Sequence, residues 1–263
     1  SMGKLSEEEL KDGAAVAKVI AEYAIECSLN KVFGTELLDF AVDEAVQIHG
    51  GYGFMAEYEV ERLYRDSRIN RIFEGTNEIN RMIVPGTLLK KAMKGELPLL
   101  QKAQSLQEEI MTLMPEEPGI EPLEQEKYLL KNAKKIALLA AGLAAQKYGE
   151  KIENEQEVLV NIADITGEIY NMESAILRTD KALQKTGESK NELKLLYTQV
   201  YTQEAFNRIE AHAKETLIAA ESGDSLRMML GALRKLTRHT PINVIAKKRE
   251  IAAALIQAEK FVV

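Results

Sequence analysis

The chain has 263 residues, 46 % of them hydrophobic, enough to bury one or two cores of ordinary domain size. Its formal net charge of −7 leaves no basic excess, which excludes a nucleic-acid backbone as the main ligand. Proline (6) and glycine (16) are sparse while Ala, Leu, Glu, Lys and Gln recur, so the summed local propensities favour helix and predict almost no sheet.

No apolar run approaches the roughly 18 residues of a membrane-spanning helix, and the first residues lack the basic-then-apolar order of a signal peptide. The chain is read as soluble and cytoplasmic. The lone Cys27 cannot form an internal disulfide and, beside Ala24 and Ile25 on an apolar helical stretch, reads as a small buried hydrophobe. Ser1-Met2 reads as a remnant at the head of a fragment cut from a larger protein.

In chain order, Leu10, Ala14, Ala17, Ile20, Ala24 and Cys27 recur at spacings of three and four, predicting a long helix over residues 6–33 opened by a Ser6/Glu9 capping box. Gly34 is expected to interrupt it. Thr35 then caps a second helix through Leu37, Phe40, Ala41, Ala45 and Ile48, which Gly50 and Gly51 stop. Residues 59–66 predict one or two helical turns. Thr76 caps the next helix, carrying Ile79, Met82 and Ile83, which Pro85 and Gly86 close off or kink, and a short helix over 87–94 ends at Gly95. A polar helix over 99–114 leads into residues 115–122, which hold three of the six prolines and are the best candidate linker and domain boundary.

Beyond it, Val158, Ile162, Ile165, Ile169, Met172, Ile176 and Leu183 trace the seam of a long bundle helix that skips Thr179. Its neighbours over 125–148 and 191–220 are expected antiparallel to it, through connections near Gly149 and Gly187. Asp224 caps a shorter helix, with Leu226, Met229, Leu230 and Leu233, and Thr240 with Pro241 at the first helical position opens the last one. The fold class is all-α: a helical domain over 1–95, a connecting helix and Pro-rich linker over 96–122, and a helical bundle over 123–263.

Candidate chemistry gathers between Gly50 and Met82. Glu74 stands between the apolar Ile72-Phe73 and the tight Gly75-Thr76 at a helix start, where desolvation would strengthen a carboxylate as a general base. A solvated loop carboxylate shares the same local pattern. Gln47, Gly50 and Gly51 form a second cluster, since an amide donor and acceptor beside two glycines lets a flat or anionic ligand approach the backbone, although Gly-Gly is also an ordinary helix stop. Arg62, Arg65, Asp66, Arg68, Arg71 and Arg81 suit either structural ion pairs or an anion fork. His49, His212 and His239 show no metal-ligand spacing, and no phosphate loop of dinucleotide or nucleoside triphosphate type is present, so no metal site is expected.

The run AVDEAVQIHGGYGFMAEYEVERLYRDSRINRIFEGTNEINRMIV, residues 41–84, resembles the C-terminal helical domain of the acyl-CoA dehydrogenases. The resemblance rests on two signatures, residues 47–51 for one and Arg65-Asp66 with residues 72–76 for the other. It implies an enzyme that holds FAD at a subunit interface and converts an acyl-CoA to a trans-2-enoyl-CoA in fatty acid β-oxidation, passing electrons to an electron-transfer flavoprotein. In such an enzyme a carboxylate takes the α-proton and the β-hydrogen leaves as hydride to the flavin.

By that resemblance Glu74 is the catalytic base and Gly75 lies beside the thioester. Thr76 and Glu78 lie along the FAD of their own subunit, while Gln47, Gly50 and Gly51 reach the FAD of the neighbouring subunit in a homo-oligomer. Phe73 stands where many members carry tyrosine, and Glu78 where relatives often carry glutamine. The resemblance makes residues 1–95 a partial C-terminal domain, inactive and weak in cofactor binding by itself. The bundle is similar in placement to the extension of very-long-chain members, which is linked to dimerisation or membrane association. An alternative function is a helical interaction, dimerisation or membrane-surface module, for which Lys247-Lys248-Arg249 near Ile251 and Leu255 is a faint cue. Another is a stand-alone protein with Glu74 a remnant.

Overall fold

The computed structural model describes Ser6, residues 9–112 and residues 118–263, and among them every element is helical, with no strand. The backbone divides into two compact units, Ser1–Leu97 and Pro98–Val263.

In the first unit a 3₁₀ turn, Glu9–Lys11, precedes α1, Gly13–Ala21. Asp12 opens α1, its carboxylate accepting from the Ala14 amide at 2.9 Å. The expected Ser6/Glu9 box lies partly outside the described residues. The break expected at Gly34 falls instead at Glu22 and Tyr23, and α2 runs unbroken over Ala24–His49. Thr35 is not a cap: its hydroxyl donates back to the Lys31 carbonyl at 2.8 Å inside the helix. A glycine in a helix interior costs only about 1 kcal/mol, which the packing of α2 on the helices that follow outweighs.

Gly50, at φ 59°, ends α2 with its N–H on the Gln47 carbonyl, as the glycine pair predicted. The following 3₁₀ segment, Gly50–Phe54, folds back so tightly that a Cβ at Gly53 would sit 2.6 Å from the Val46 carbonyl oxygen, so only glycine fits there. Next come α3, Glu59–Ser67, a 3₁₀ turn, Arg68–Arg71, and α4, Asn77–Met93. Pro85 does not end α4, and the expected separate helix at 87–94 is its continuation. A proline forfeits one backbone bond and crowds the preceding turn, but burial of Pro85 beside Val84, which is 1 % exposed, keeps the helix whole.

Cys27 is exposed, contrary to its expected burial. α2 turns Ser28, Leu29, Val32 and Val42 inward, while Leu37, Phe40 and Ile48 on its other sides remain exposed. Apolar residues around several faces are the pattern of a helix with partners on more than one side.

The second unit begins with α5, Leu99–Thr112, and continues with α6, Glu124–Tyr148, α7, Gln156–Thr186, and α8, Glu192–Ala220. Residues 113–117, which span the expected end of the helix over 99–114 and the start of the expected linker, lie outside the described residues. α7 runs antiparallel to α6, since Lys127 meets Asp180 and Lys134 meets Glu173, and antiparallel to α8, since Arg208 meets Glu168 and Thr198 meets Thr179. Small Ala133, Ala140 and Ala144 on α6 let the backbones close over Phe206, Ile209, Ala213 and Leu217 of α8, all at 1 % exposure or less. Thr179, which the apolar spacing passes over, is part of that seam: it is buried, and its hydroxyl bonds that of Thr198 at 2.7 Å.

Two helices complete the unit, α9, Gly223–Thr237, and α10, Val244–Ala258. Asp224 does not cap α9; it sits in the first turn, paired with Arg227, after Ser222 at the cap position. α10 starts after Thr240-Pro241, where the Asn243 side chain accepts from the Ala246 amide at 3.0 Å and so supplies the cap that a proline start would have lacked.

Candidate functional site

The Glu74 turn is made by two consecutive left-handed residues. After the 3₁₀ turn, the Phe73 amide still reaches the Ile69 carbonyl, then Glu74 takes φ 54° and Gly75 φ 81°. Glycine adopts that conformation freely, whereas a side-chain-bearing residue pays about 1–2 kcal/mol for it, and such strain concentrates at functional positions. Thr76 then returns to extended backbone, and its hydroxyl oxygen accepts from the Ile79 amide at 3.2 Å to start α4. Glu78, in the first turn, has its carboxyl held below the usual carboxylate range by its own backbone amide and by the Thr76 hydroxyl.

A polar cluster that sequence reasoning missed fixes this corner. Asn77 is 2 % exposed; its Oδ1 accepts from Lys31 Nζ at 2.6 Å, and its Nδ2 donates to Thr35 Oγ1 at 3.0 Å and Glu36 Oε1 at 3.2 Å. Glu36 in turn receives both guanidinium nitrogens of Arg81, at 2.7 and 2.9 Å. Asn80 Nδ2 donates to the carbonyls of Gly75, at 2.8 Å, and Thr76, at 3.1 Å. Four of these residues are ordinary helix-surface types in sequence. Only the pairing of α2 with α4, distant in sequence, reveals them as one network.

The arginines of this region serve as ion-pair partners: Arg62 with Glu59, Arg65 with Glu61 rather than Asp66, Arg71 with Asp39 at 3.0 Å, and Arg81 with Glu36. Arg68 is exposed.

Glu74 itself is exposed, so the desolvation expected from its apolar neighbours is not supplied by the described residues. Gln47, Gly50 and Gly51 are exposed at the far end of α2. From Thr35, which touches the α4 start, to Gly50 is fifteen residues, or about 22 Å at the helical rise of about 1.5 Å per residue. One chain therefore does not bring the two candidate clusters into a single pocket. The Gly50/Gly51 end is open: among the described residues no heavy atom lies within 4 Å of a Cβ built at either glycine, and Gln47 is exposed. An exposed glutamine beside bare backbone fits the approach of a flat, hydrogen-bonding group such as FAD, and Thr76 with Glu78 at a helix N-terminus fits its polar edge.

Elsewhere, a cleft of about 500 Å³ in the second unit is lined by Gln203, Asn207, Glu210, Arg234 and His239 among others, and holds none of the candidates read from sequence. Lys248, part of the basic run on α10, is paired with Glu204. Among the described residues, no group of three or more His, Cys, Asp or Glu could hold a metal, and no helix is long and apolar enough to cross a membrane.

The corner thus carries an exposed glutamate on strained, left-handed backbone directly before the capped start of α4. Two family models described as acyl-CoA dehydrogenase, C-terminal domain, match residues 9–89 and 132–235. A probable acyl-CoA dehydrogenase of Bacillus subtilis (strain 168) is 72 % identical over all of this chain, which covers 44 % of that relative. The crystal structure of an acyl-CoA dehydrogenase complexed with FAD from Bacillus anthracis is 73 % identical, with a TM-score of 0.97 over 100 % of this chain and 45 % of that one. A subunit of the caffeyl-CoA reductase–Etf complex of Acetobacterium woodii is 48 % identical over 66 residues, 25 % of this chain and 17 % of that relative. The chain belongs to the acyl-CoA dehydrogenase family, of which it is a C-terminal portion. It spans less than half the length of the relative that it matches throughout.

Proposed function

We propose that this chain is the C-terminal part of an FAD-dependent acyl-CoA dehydrogenase, in which Glu74 removes the α-proton of a fatty acyl-CoA on the way to a trans-2-enoyl-CoA. The single observation that carries the reading is the strained Glu74–Gly75 turn at the capped start of α4. A carboxylate there is set on a defined backbone and exposed to an incoming substrate, as a general base must be before substrate arrives. The proton goes from the α-carbon to the Glu74 carboxylate; FAD, when bound, takes up the β-hydrogen with its electron pair. Gly75 leaves room for the thioester, while Thr76 and Glu78 contact the flavin dinucleotide of the same subunit.

Gln47, Gly50 and Gly51 contact the FAD of a second subunit. The separation of about 22 Å along α2 supports that division of labour, because one bound dinucleotide per subunit then meets two chains. The assembly is a homo-oligomer, and its electrons pass to an electron-transfer flavoprotein. The exposure of Glu74 supports a further point: this portion alone is inactive, because the dry surroundings that strengthen a carboxylate base come from parts of the enzyme beyond it. The exposed Phe40, Ile48 and Phe54, at 64, 82 and 77 %, are surfaces those parts would cover.

The test is Glu74→Gln in a full-length enzyme carrying this chain. Acyl-CoA oxidation falls to background while the flavin spectrum and thermal midpoint stay unchanged. Retained turnover would remove Glu74 from the role of base.

A further inference from the structure

Asparagine is a poor helix former, and one in the early turns of a helix ordinarily turns its amide to water. Asn80 does the reverse. It is 8 % exposed, and its side chain reaches back past the start of α4 to the Gly75 and Thr76 carbonyls at 2.8 and 3.1 Å, while its own N–H donates to the Thr76 carbonyl at 2.9 Å. Starting a helix does not call for these side-chain bonds. The groups left without partners at a helix N-terminus are N–H groups, and Thr76 already serves that of Ile79.

What the bonds do is fix the Gly75–Thr76 and Thr76–Asn77 peptides, the first of which sets ψ of Gly75 in the turn that carries Glu74. Gly75 would otherwise rotate freely, and it is matched to its clamp: a Cβ there would crowd Asn80 Nδ2 at 3.1 Å. We propose that Asn80 is a positioning residue, which locks the left-handed Glu74–Gly75 turn and so aims the Glu74 carboxylate at the α-carbon of the acyl-CoA. The aiming rests on the reading of Glu74 as base; the lock does not.

Two variants test it in a full-length enzyme carrying this chain. Asn80→Asp keeps the shape but turns a carboxylate on two carbonyls, and Asn80→Leu removes the donor without adding charge. Both lower kcat by roughly 10- to 100-fold when assayed well below their own thermal midpoints, as misplacement of a reacting group does, with KM and flavin content held. The isotope effect on kcat with α-deuterated substrate rises, since proton removal becomes slower. In this chain alone, amide hydrogen exchange over residues 74–80 speeds up about tenfold in Asn80→Leu, the scale of one lost hydrogen bond. Unchanged kcat in both variants, or a loss that merely follows flavin content or melting, overturns the proposal, as does unaltered exchange. Glu74→Gln, assayed alongside, separates the two readings: if it turns over, the base assignment and the aiming fall together, and exchange still decides whether Asn80 locks the turn.

Discussion

Glu74 holds its left-handed backbone at a cost, which makes that position a sensitive probe of strain. In this chain, Glu74→Gly relieves a conformation that glycine adopts freely and raises stability by up to about 1 kcal/mol in urea denaturation, whereas the β-branched Glu74→Val lowers it. Glu78 gives the corner an acid dependence. Its folded carboxyl titrates below the ordinary carboxylate range, so its contribution to stability is complete above that range and is lost as the pH falls through the lower folded value. A pH series of denaturation midpoints for wild type and Glu78→Gln thus shows a gap at neutral pH that closes in acid. At this scale the sequence was informative about Thr76 and the glycines, because capping and positive φ are local properties. It was silent about Asn77 and Asn80, whose hydrogen bonds are set by where α2 lies.

Buried hydroxyl and amide groups connect the helices, and they can be scored as pairs. Asn77→Ala leaves the Lys31 ammonium, the Thr35 hydroxyl and one Glu36 oxygen short of a partner on the α2–α4 seam, a loss of about 2–3 kcal/mol by urea titration. On the α7–α8 seam, Thr179→Val alone strands the buried Thr198 hydroxyl and costs about 1–3 kcal/mol. The double change with Thr198→Val recovers part of that, so a double-mutant cycle gives a positive coupling; strict additivity would count against a shared bond. Element boundaries were legible wherever a local signal ended a helix, as at Gly50, Gly149 and Gly187, each with positive φ. They were misjudged at Gly34 and Pro85, where the penalty for the residue is a few kcal/mol at most and tertiary packing exceeds it.

The main hydrophobic cluster lies entirely in the second unit, centred on Ile136, Ile165, Met172, Phe206, Ile209 and Leu217. The first unit leaves many large apolar side chains exposed. On heating, the first unit is therefore expected to lose protection from hydrogen exchange before the bundle does. Phe206→Ala, which empties a fully buried ring, costs about 3–5 kcal/mol and lowers the bundle transition selectively. Glu126 gives that unit a pH-dependent contribution of its own. Burial at 4 % exposure pushes its carboxyl up, against the partial pull of its own backbone amide and of Lys247. A raised folded value means stability is greatest below the ordinary carboxylate range and falls as the pH rises through the folded value. Glu126→Gln should accordingly melt higher than wild type at neutral pH, with the difference vanishing in acid.

Propensity, spacing and caps by themselves determined that the chain is all-α, where most of its helices lie, and that residues 41–84 carry the marks of acyl-CoA dehydrogenases. These are properties of a few neighbouring residues, so they survive without a fold. Only the tertiary structure decided that Cys27 is exposed, that Thr179 belongs to a seam, that the α4 start meets α2 at Thr35, fifteen residues before Gly50, and that Asn80 bonds the Gly75 and Thr76 carbonyls beside the strained Glu74. Each of those depends on which helix faces which, and burial of apolar area, blind to order along the chain, settles that choice.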